Sequence, residues 1–170
     1  MPWPSCQGSK CVLDCGYMKT TLPKVLFVDD QAEVLDALKV QVYEICVPYF
    51  AQDAESGLKI FEKDGPFTIV ISDQILPGMN GADFLAKVIH RDPYCTTMLL
   101  TGHANYQDAM KAVNDGHVFR LLEKPYCPKA LREAILAGAR QRELLETEQV
   151  LLQETLVGAV NALTLSLIHI

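Results

Sequence analysis

Phe67-Thr68-Ile69-Val70-Ile71-Ser72-Asp73-Gln74-Ile75-Leu76-Pro77-Gly78-Met79-Asn80-Gly81 couples an apolar, β-branched run to an abrupt stop. Ile69, Val70 and Ile71 read as a strand buried on both faces, and Pro77, Gly78 and Gly81 forbid its continuation. A buried strand therefore ends on a carboxylate, Asp73. A rigid base and an open mouth are what a reactive acid or a metal ligand needs.

Working outward, the same unit recurs. Lys24 to Asp29 is a short apolar run closed by two acids, Asp29 and Asp30, and from Gln31 the spacing turns helical, with Val34, Leu35, Leu38 and Val42 on one side. Ile45 to Ala51 reads as a second strand, which Pro48 pushes to a sheet edge. Asp53 is placed to cap the following helix, and Asp64-Gly65-Pro66 stops it. After the strand Phe67 to Asp73, a helix from about Asn80 to Arg91 carries Phe84, Leu85, Val88 and Ile89. Thr96 to Thr101 reads as the fourth strand, Ala104 to Asp115 as the fourth helix, and Val118 to Leu122 as the fifth strand, followed by Glu123-Lys124-Pro125. Five strands alternating with helices predict an α/β fold built on a parallel sheet.

Composition narrows the function. The chain has 170 residues, 49% of them hydrophobic, which is enough for a core, and a net charge of −6, which argues against a phosphate-binding nucleic-acid surface. Cys46, Cys95 and Cys127 lack paired spacing, and Cys6, Cys11 and Cys15 have no accompanying histidine or fourth cysteine, so free thiols are expected rather than zinc or disulfides. The first residues lack a basic region followed by an apolar core, so no signal peptide is expected, and residues 156–170 fall short of a membrane span, so a cytoplasmic protein is expected. Residues 1–22 read as a disordered leader, with Met18 the more natural start, residues 23–140 as one domain, and residues 141–170 as a helical linker.

In an open parallel sheet the carboxyl ends of the strands line one crevice. Asp29, Asp30, Asp73, Thr101 and Lys124 all stand at such ends. Any of them alone has a bland account, since an Asp caps helices and a Lys is usually a solvated charge. Together, three acids that repel one another call for a hard divalent cation, Mg²⁺ or Mn²⁺, while the hydroxyl and the ammonium suit an anion on the same site. The chemistry that fits is phosphoryl transfer onto a carboxylate. His103, in a loop beside Gly102, is left out of it.

Asp29-Asp30, Ile-Val-Ile-Ser-Asp-x-x-Leu-Pro-Gly-Met-Asn-Gly, Thr-Gly-His-Ala and Leu-Glu-Lys-Pro, in that order, resemble the receiver domain of bacterial two-component response regulators, over about residues 24–140. The resemblance implies a doubly wound five-stranded parallel sheet, in the order 2-1-3-4-5, flanked by helices. It implies Asp73 as phosphoacceptor, Asp30 as direct Mg²⁺ ligand, Asp29 assisting through water, and the Ile75 carbonyl as a further ligand. Thr101 becomes the switch hydroxyl and Lys124 the phosphate partner, with a cis bond before Pro125. The donor would be a histidine kinase or phosphotransfer protein, and the chain would be a phosphorelay component rather than an enzyme. Many receivers carry an aromatic three residues before the lysine. Here Leu121 holds that position and Phe119 lies five before, so output is expected to pass through the last helix.

Two other classes compete. A phosphohydrolase working through an aspartyl phosphate would want Asp-x-Asp on the first strand, which Asp29-Asp30-Gln31 is not. A phosphorylation-independent interaction module is favoured only by Leu121.

The helical pattern beginning at Pro128 runs past Gly138. Leu145, Leu152, Leu156 and Leu163 recur among charged residues as a weak coiled-coil seam, which fits equally a helix lying on its own domain and a signalling helix that forms a homodimer and leads to an output domain. Glu146 to Thr164 also resembles the connector leading to HD-type output domains. Leu-Ser-Leu-Ile-His-Ile at the end matches the translation of a transposon-end sequencing adapter, so the native chain is expected to continue past Thr164 with other residues.

Overall fold

The sheet is parallel throughout, and the pattern of buried residues explains why. In a computed structural model, which describes residues 22–102 and 106–168, five strands form one sheet: β1 (Lys24–Val28), β2 (Val47–Ala51), β3 (Ile69–Asp73), β6 (Thr96–Thr101) and β7 (Arg120–Glu123). Their order is β2-β1-β3-β6-β7. Counting the sheet strands alone, this is the expected 2-1-3-4-5. The central strands β1, β3 and β6 are buried along nearly their whole length, as strands covered by helices on both faces must be.

Helices α1 (Ala32–Val42), α2 (Ala54–Asp64), α3 (Gly81–Arg91), α4 (Tyr106–Asn114) and α5 (Pro128–Ile168) supply those covers. Alternate side chains of the strands divide the core in two. Leu26, Val28, Val70 and Leu99 pack with Phe61, Phe84, Leu85 and Ala109 from α2, α3 and α4. Val25, Phe27, Ile69, Ile71 and Met98 pack with Leu35, Leu38, Leu131 and Ile135 from α1 and α5. One helix layer per face follows directly from the period-2 alternation of each strand.

The punctuation acts largely as expected. Pro48 lies on an edge strand, Asp53 caps α2 by accepting from the Ser56 N–H at 2.7 Å, and Asn80 caps α3. The peptide bond before Pro125 is cis, as is that before Pro66. Two strand starts differ, and one short ladder is added. Ile45 and Cys46 belong to the turn ending α1, held by N–H bonds to the Val42 carbonyl, and Cys46 is buried there. Val118 is buried without joining the ladder, so β7 begins two residues later. A two-residue antiparallel ladder, β4 (Ile75–Leu76) with β5 (Met79–Asn80), folds the Pro77-Gly78 turn back on itself, with Gly78 at φ +77°.

Helix α5 runs unbroken for 41 residues. Its first part lies on the sheet. The Thr96 hydroxyl donates to the Gly138 carbonyl at 2.9 Å, and Arg142 donates to the Phe67 carbonyl and to Asp92. Beyond Arg142 the helix leaves the domain, and Leu152, Leu156 and Leu163 are exposed. No described helix is long and apolar enough to cross a membrane. Residues 1–21, with Cys6, Cys11 and Cys15, and His103 lie outside the described residues. Cys46, Cys95 and Cys127 are free thiols, the first two buried with pKa values pushed up to about 12, by burial above all.

Candidate phosphoacceptor site

Strands β1, β3, β6 and β7 all point their carboxyl ends at one mouth, and the side chains of Asp29, Asp30, Asp73 and Lys124 meet there, while the Thr101 hydroxyl turns to Gln74. Carboxylate oxygens of Asp29, Asp30 and Asp73 lie within 4.8 Å of one another. Asp29 is buried, Asp30 is exposed, and the Asp73 side chain keeps 13% of its surface open. This is a graded acid cluster, closed at its base and open at its rim.

Lys124 enters from β7 and bridges two of the three acids, its Nζ at 2.9 Å from Asp29 Oδ2 and 3.1 Å from Asp73 Oδ1. The N–H of Lys124 bonds the Thr101 carbonyl at 2.8 Å, which fixes the lysine at the end of β6. The other Asp29 oxygen accepts from the Gln31 N–H at 3.0 Å, but Gln31 itself stands at the N-cap of α1 without a side-chain cap bond, so Asp29 does not take the helix-capping role open to a lone Asp. Asp73 Oδ1 also accepts from the Gln74 N–H at 2.9 Å.

Electrostatics follow from the crowding. Burial, with the Asp29 carboxylate adding to it, raises the Asp73 carboxyl above the usual carboxylate range, and the Lys124 ammonium only partly offsets the rise. For Lys124 burial works toward a lower pKa, but hydrogen bonds to Asp29 and Asp73 outweigh it and hold the ammonium charged more firmly than usual. One ammonium facing three acids leaves the cluster net negative, the electrostatic condition for a divalent cation with oxygen ligands.

Thr101 is 1% exposed, and its hydroxyl donates to the Gln74 side-chain oxygen, with the Gly102 carbonyl at 3.1 Å as a second acceptor. Gln74 is a residue that sequence reasoning passed over. Its signal lay in the register: Asp73 pairs with Leu100, so the next residue on each strand, Gln74 and Thr101, stand side by side. Ile75 is exposed at the rim, in the short ladder opposite Asn80. Leu121 is half-buried against the core that α4 covers, whereas Phe119 is exposed.

Glycine makes the corner possible. A Cβ on Gly81 would lie 1.9 Å from the Asp73 carbonyl oxygen, and the Gly81 N–H bonds the Gln74 carbonyl at 2.9 Å. Only a residue without a side chain lets α3 begin this close to the end of β3.

Residues 25–136 match the response regulator receiver domain family. The chain belongs to that family. HoxA, the hydrogenase transcriptional regulatory protein of Cupriavidus necator, is 27% identical over 124 residues, which cover 71% of this chain and 26% of HoxA. Among solved structures, the signal receiver domain of an HD domain-containing protein from Pseudomonas fluorescens is 29% identical with a TM-score of 0.71, over 77% of this chain and 96% of that one. An adenylate cyclase from Rhodopirellula baltica aligns with a TM-score of 0.75 and 31% identity, over 78% of this chain and 98% of that one. The chain spans between about a quarter and a half of the length of the curated relatives it matches. Receivers are phosphoacceptor signalling modules that carry an acidic pocket, and the Asp29, Asp30 and Asp73 cluster is consistent with one.

Proposed function

We propose that this receiver is a phosphorylation-controlled switch in a two-component pathway. The observation that carries the reading is Lys124 bridging Asp29 and Asp73, with Asp30 completing the acid cluster. Asp73 is the nucleophile: one carboxylate oxygen bonds to phosphorus as the bond to the donor's nitrogen breaks, giving an aspartyl phosphate and the free imidazole of a histidine kinase or phosphotransfer protein. Asp30 directly, Asp29 through water, Asp73 and the Ile75 carbonyl are the residues that would hold Mg²⁺, whose charge balances the phosphoryl oxygens. Lys124 shifts from Asp73 toward the new phosphate, and the Thr101 hydroxyl donates to it.

Output passes along α5, which is packed on the sheet up to Arg142 and then projects as a helix able to pair with a second copy or lead to a further domain. The HD-type connection expected from the sequence fits the named Pseudomonas relative. A phosphorylation-independent module remains the second reading, favoured by Leu121 where an aromatic relay would stand.

Incubation with a small acyl phosphate and Mg²⁺, followed by intact mass, separates the two. The expected result is a gain of one phosphoryl group, abolished in Asp73→Asn and by chelation of the metal. An unmodified mass for the native sequence under those conditions favours the passive module.

A further inference from the structure

Gln74 is a buried polar side chain that the proposed chemistry does not use. It is 6% exposed, and its backbone is pinned from three directions. Its N–H bonds the Leu100 carbonyl at 3.0 Å and Asp73 Oδ1 at 2.9 Å, while its carbonyl accepts from Gly81 at 2.9 Å. The amide is therefore anchored at the corner between the phosphoacceptor and α3. From there its oxygen accepts the proton of Thr101.

A threonine hydroxyl has one proton to give. Among the described residues its acceptors are Gln74 Oε1 and the Gly102 carbonyl, so the unmodified state has a place for that proton away from any phosphate. A phosphoryl oxygen on Asp73 needs the same proton. Transferring it takes from Gln74 Oε1 the hydroxyl donor it has in the unmodified arrangement, a cost that falls on the phosphorylated state alone. We infer that Gln74 is a positioning residue that latches Thr101 in the unphosphorylated arrangement and so sets the threshold for switching.

The inference rests on the reading of Asp73 and Thr101 given above, and it deepens that reading by adding a residue that opposes the switch. It gives the Asp73-Gln74 pair opposite tasks, one receiving the phosphate and the next withholding the hydroxyl that would settle it.

Beryllofluoride, a phosphoryl mimic that needs no donor, is the probe. Its affinity for the Mg²⁺-loaded full chain is measured by calorimetry in the native sequence, in Gln74→Met, which keeps the volume and removes the acceptor, and in Gln74→Asn, which keeps an amide too short to reach. Both variants are expected to bind about threefold to tenfold tighter. In a Thr101→Val background the same substitutions are expected to change affinity by less than about twofold, because the group they release is gone. A merely structural role would not show that dependence. In the metal-free protein, the Thr101 methyl resonance is expected to move in Gln74→Met, and urea unfolding of each variant reports that it folds. Equal or weaker binding by Gln74→Met and Gln74→Asn, or an effect that survives in Thr101→Val, overturns the latch. Failure of the native sequence to bind beryllofluoride overturns instead the reading of the site on which it rests.

Discussion

Asp73 is a case of a residue held where the fold would be better off without it. Its carboxylate shares a mouth with those of Asp29 and Asp30, all within 4.8 Å, and Lys124 divides its single charge between Asp29 and Asp73. Burial raises the Asp73 pKa, which means the ionised form present at neutral pH is the disfavoured one. On the proposed role of Asp73, function and stability therefore pull against each other at this position. Asp73→Asn is expected to stabilise the metal-free protein by about 0.5–2 kcal/mol at neutral pH, measured by urea unfolding. Mg²⁺ should narrow the difference, because a cation that binds only the folded state adds RT ln(1 + [Mg²⁺]/Kd) to the native sequence and less to the variant. A variant no more stable than the native sequence without metal would show that Lys124 alone neutralises the cluster.

At the scale of elements, the junctions carry the fold, and the cap of α2 isolates one of them. Asp53 accepts from the Ser56 N–H at 2.7 Å and from the Ser56 hydroxyl at 2.8 Å, and the backbone bond is the larger reason its pKa lies below the ordinary 3.8. A depressed folded pKa adds stability that is fully present above 3.8 and is lost as pH falls through the folded value. Asp53→Ala should cost about 1 kcal/mol at neutral pH, and the unfolding curves of the two proteins should converge below pH 3.8. A gap that persists in acid would assign the cost to something other than the charged cap. This cap was legible in the sequence because an Asp before a helical pattern, with Ser three residues on, is a local signal. Thr96 to Thr101 was legible to the residue because Pro93 and Gly102 bracket an apolar run. The site was legible as a set of strand ends, since parallel topology alone brings Asp29, Asp30, Asp73 and Lys124 to one edge. What stayed hidden depends on pairing across the sheet. Ile75–Leu76 and Met79–Asn80 are too short to show any period. Gln74 was passed over because its partner, Thr101, is 27 residues away and is named only by the register of β3 on β6. Val118 and Cys46 misplaced two strand starts because burial, which both have, is not the same as membership of a ladder.

For the molecule as a whole, the unresolved tension is between a compact receiver and the helix that leaves it. Arg142 is the hinge point: half-buried, it donates to the Phe67 carbonyl, to Asp92 at 2.9 Å and to Glu146 at 2.7 Å. Burial works toward a lower pKa for its guanidinium, and the Asp92 and Glu146 carboxylates outweigh it, so the clamp stays charged. It ties α5 to the entry of the strand that carries Asp73 at its other end, which gives the helix a fixed direction of exit. Past that clamp Leu152, Leu156 and Leu163 are between 57% and 67% exposed, on a helix whose 41 residues extend about 60 Å. An isolated helix with so apolar a face is poorly stable in water, and a second copy is the partner that a seam spaced at seven, four and seven residues fits. The chain should therefore sediment as a dimer at about 10–100 μM, with Leu156→Lys shifting it to monomer, since a buried charge in a two-stranded seam has no partner. Because Leu156 lies beyond the clamp, the variant should keep its Mg²⁺-dependent response at Asp73. A monomer across that range for the native sequence would leave α5 without a self-partner and point to a further domain as what it meets.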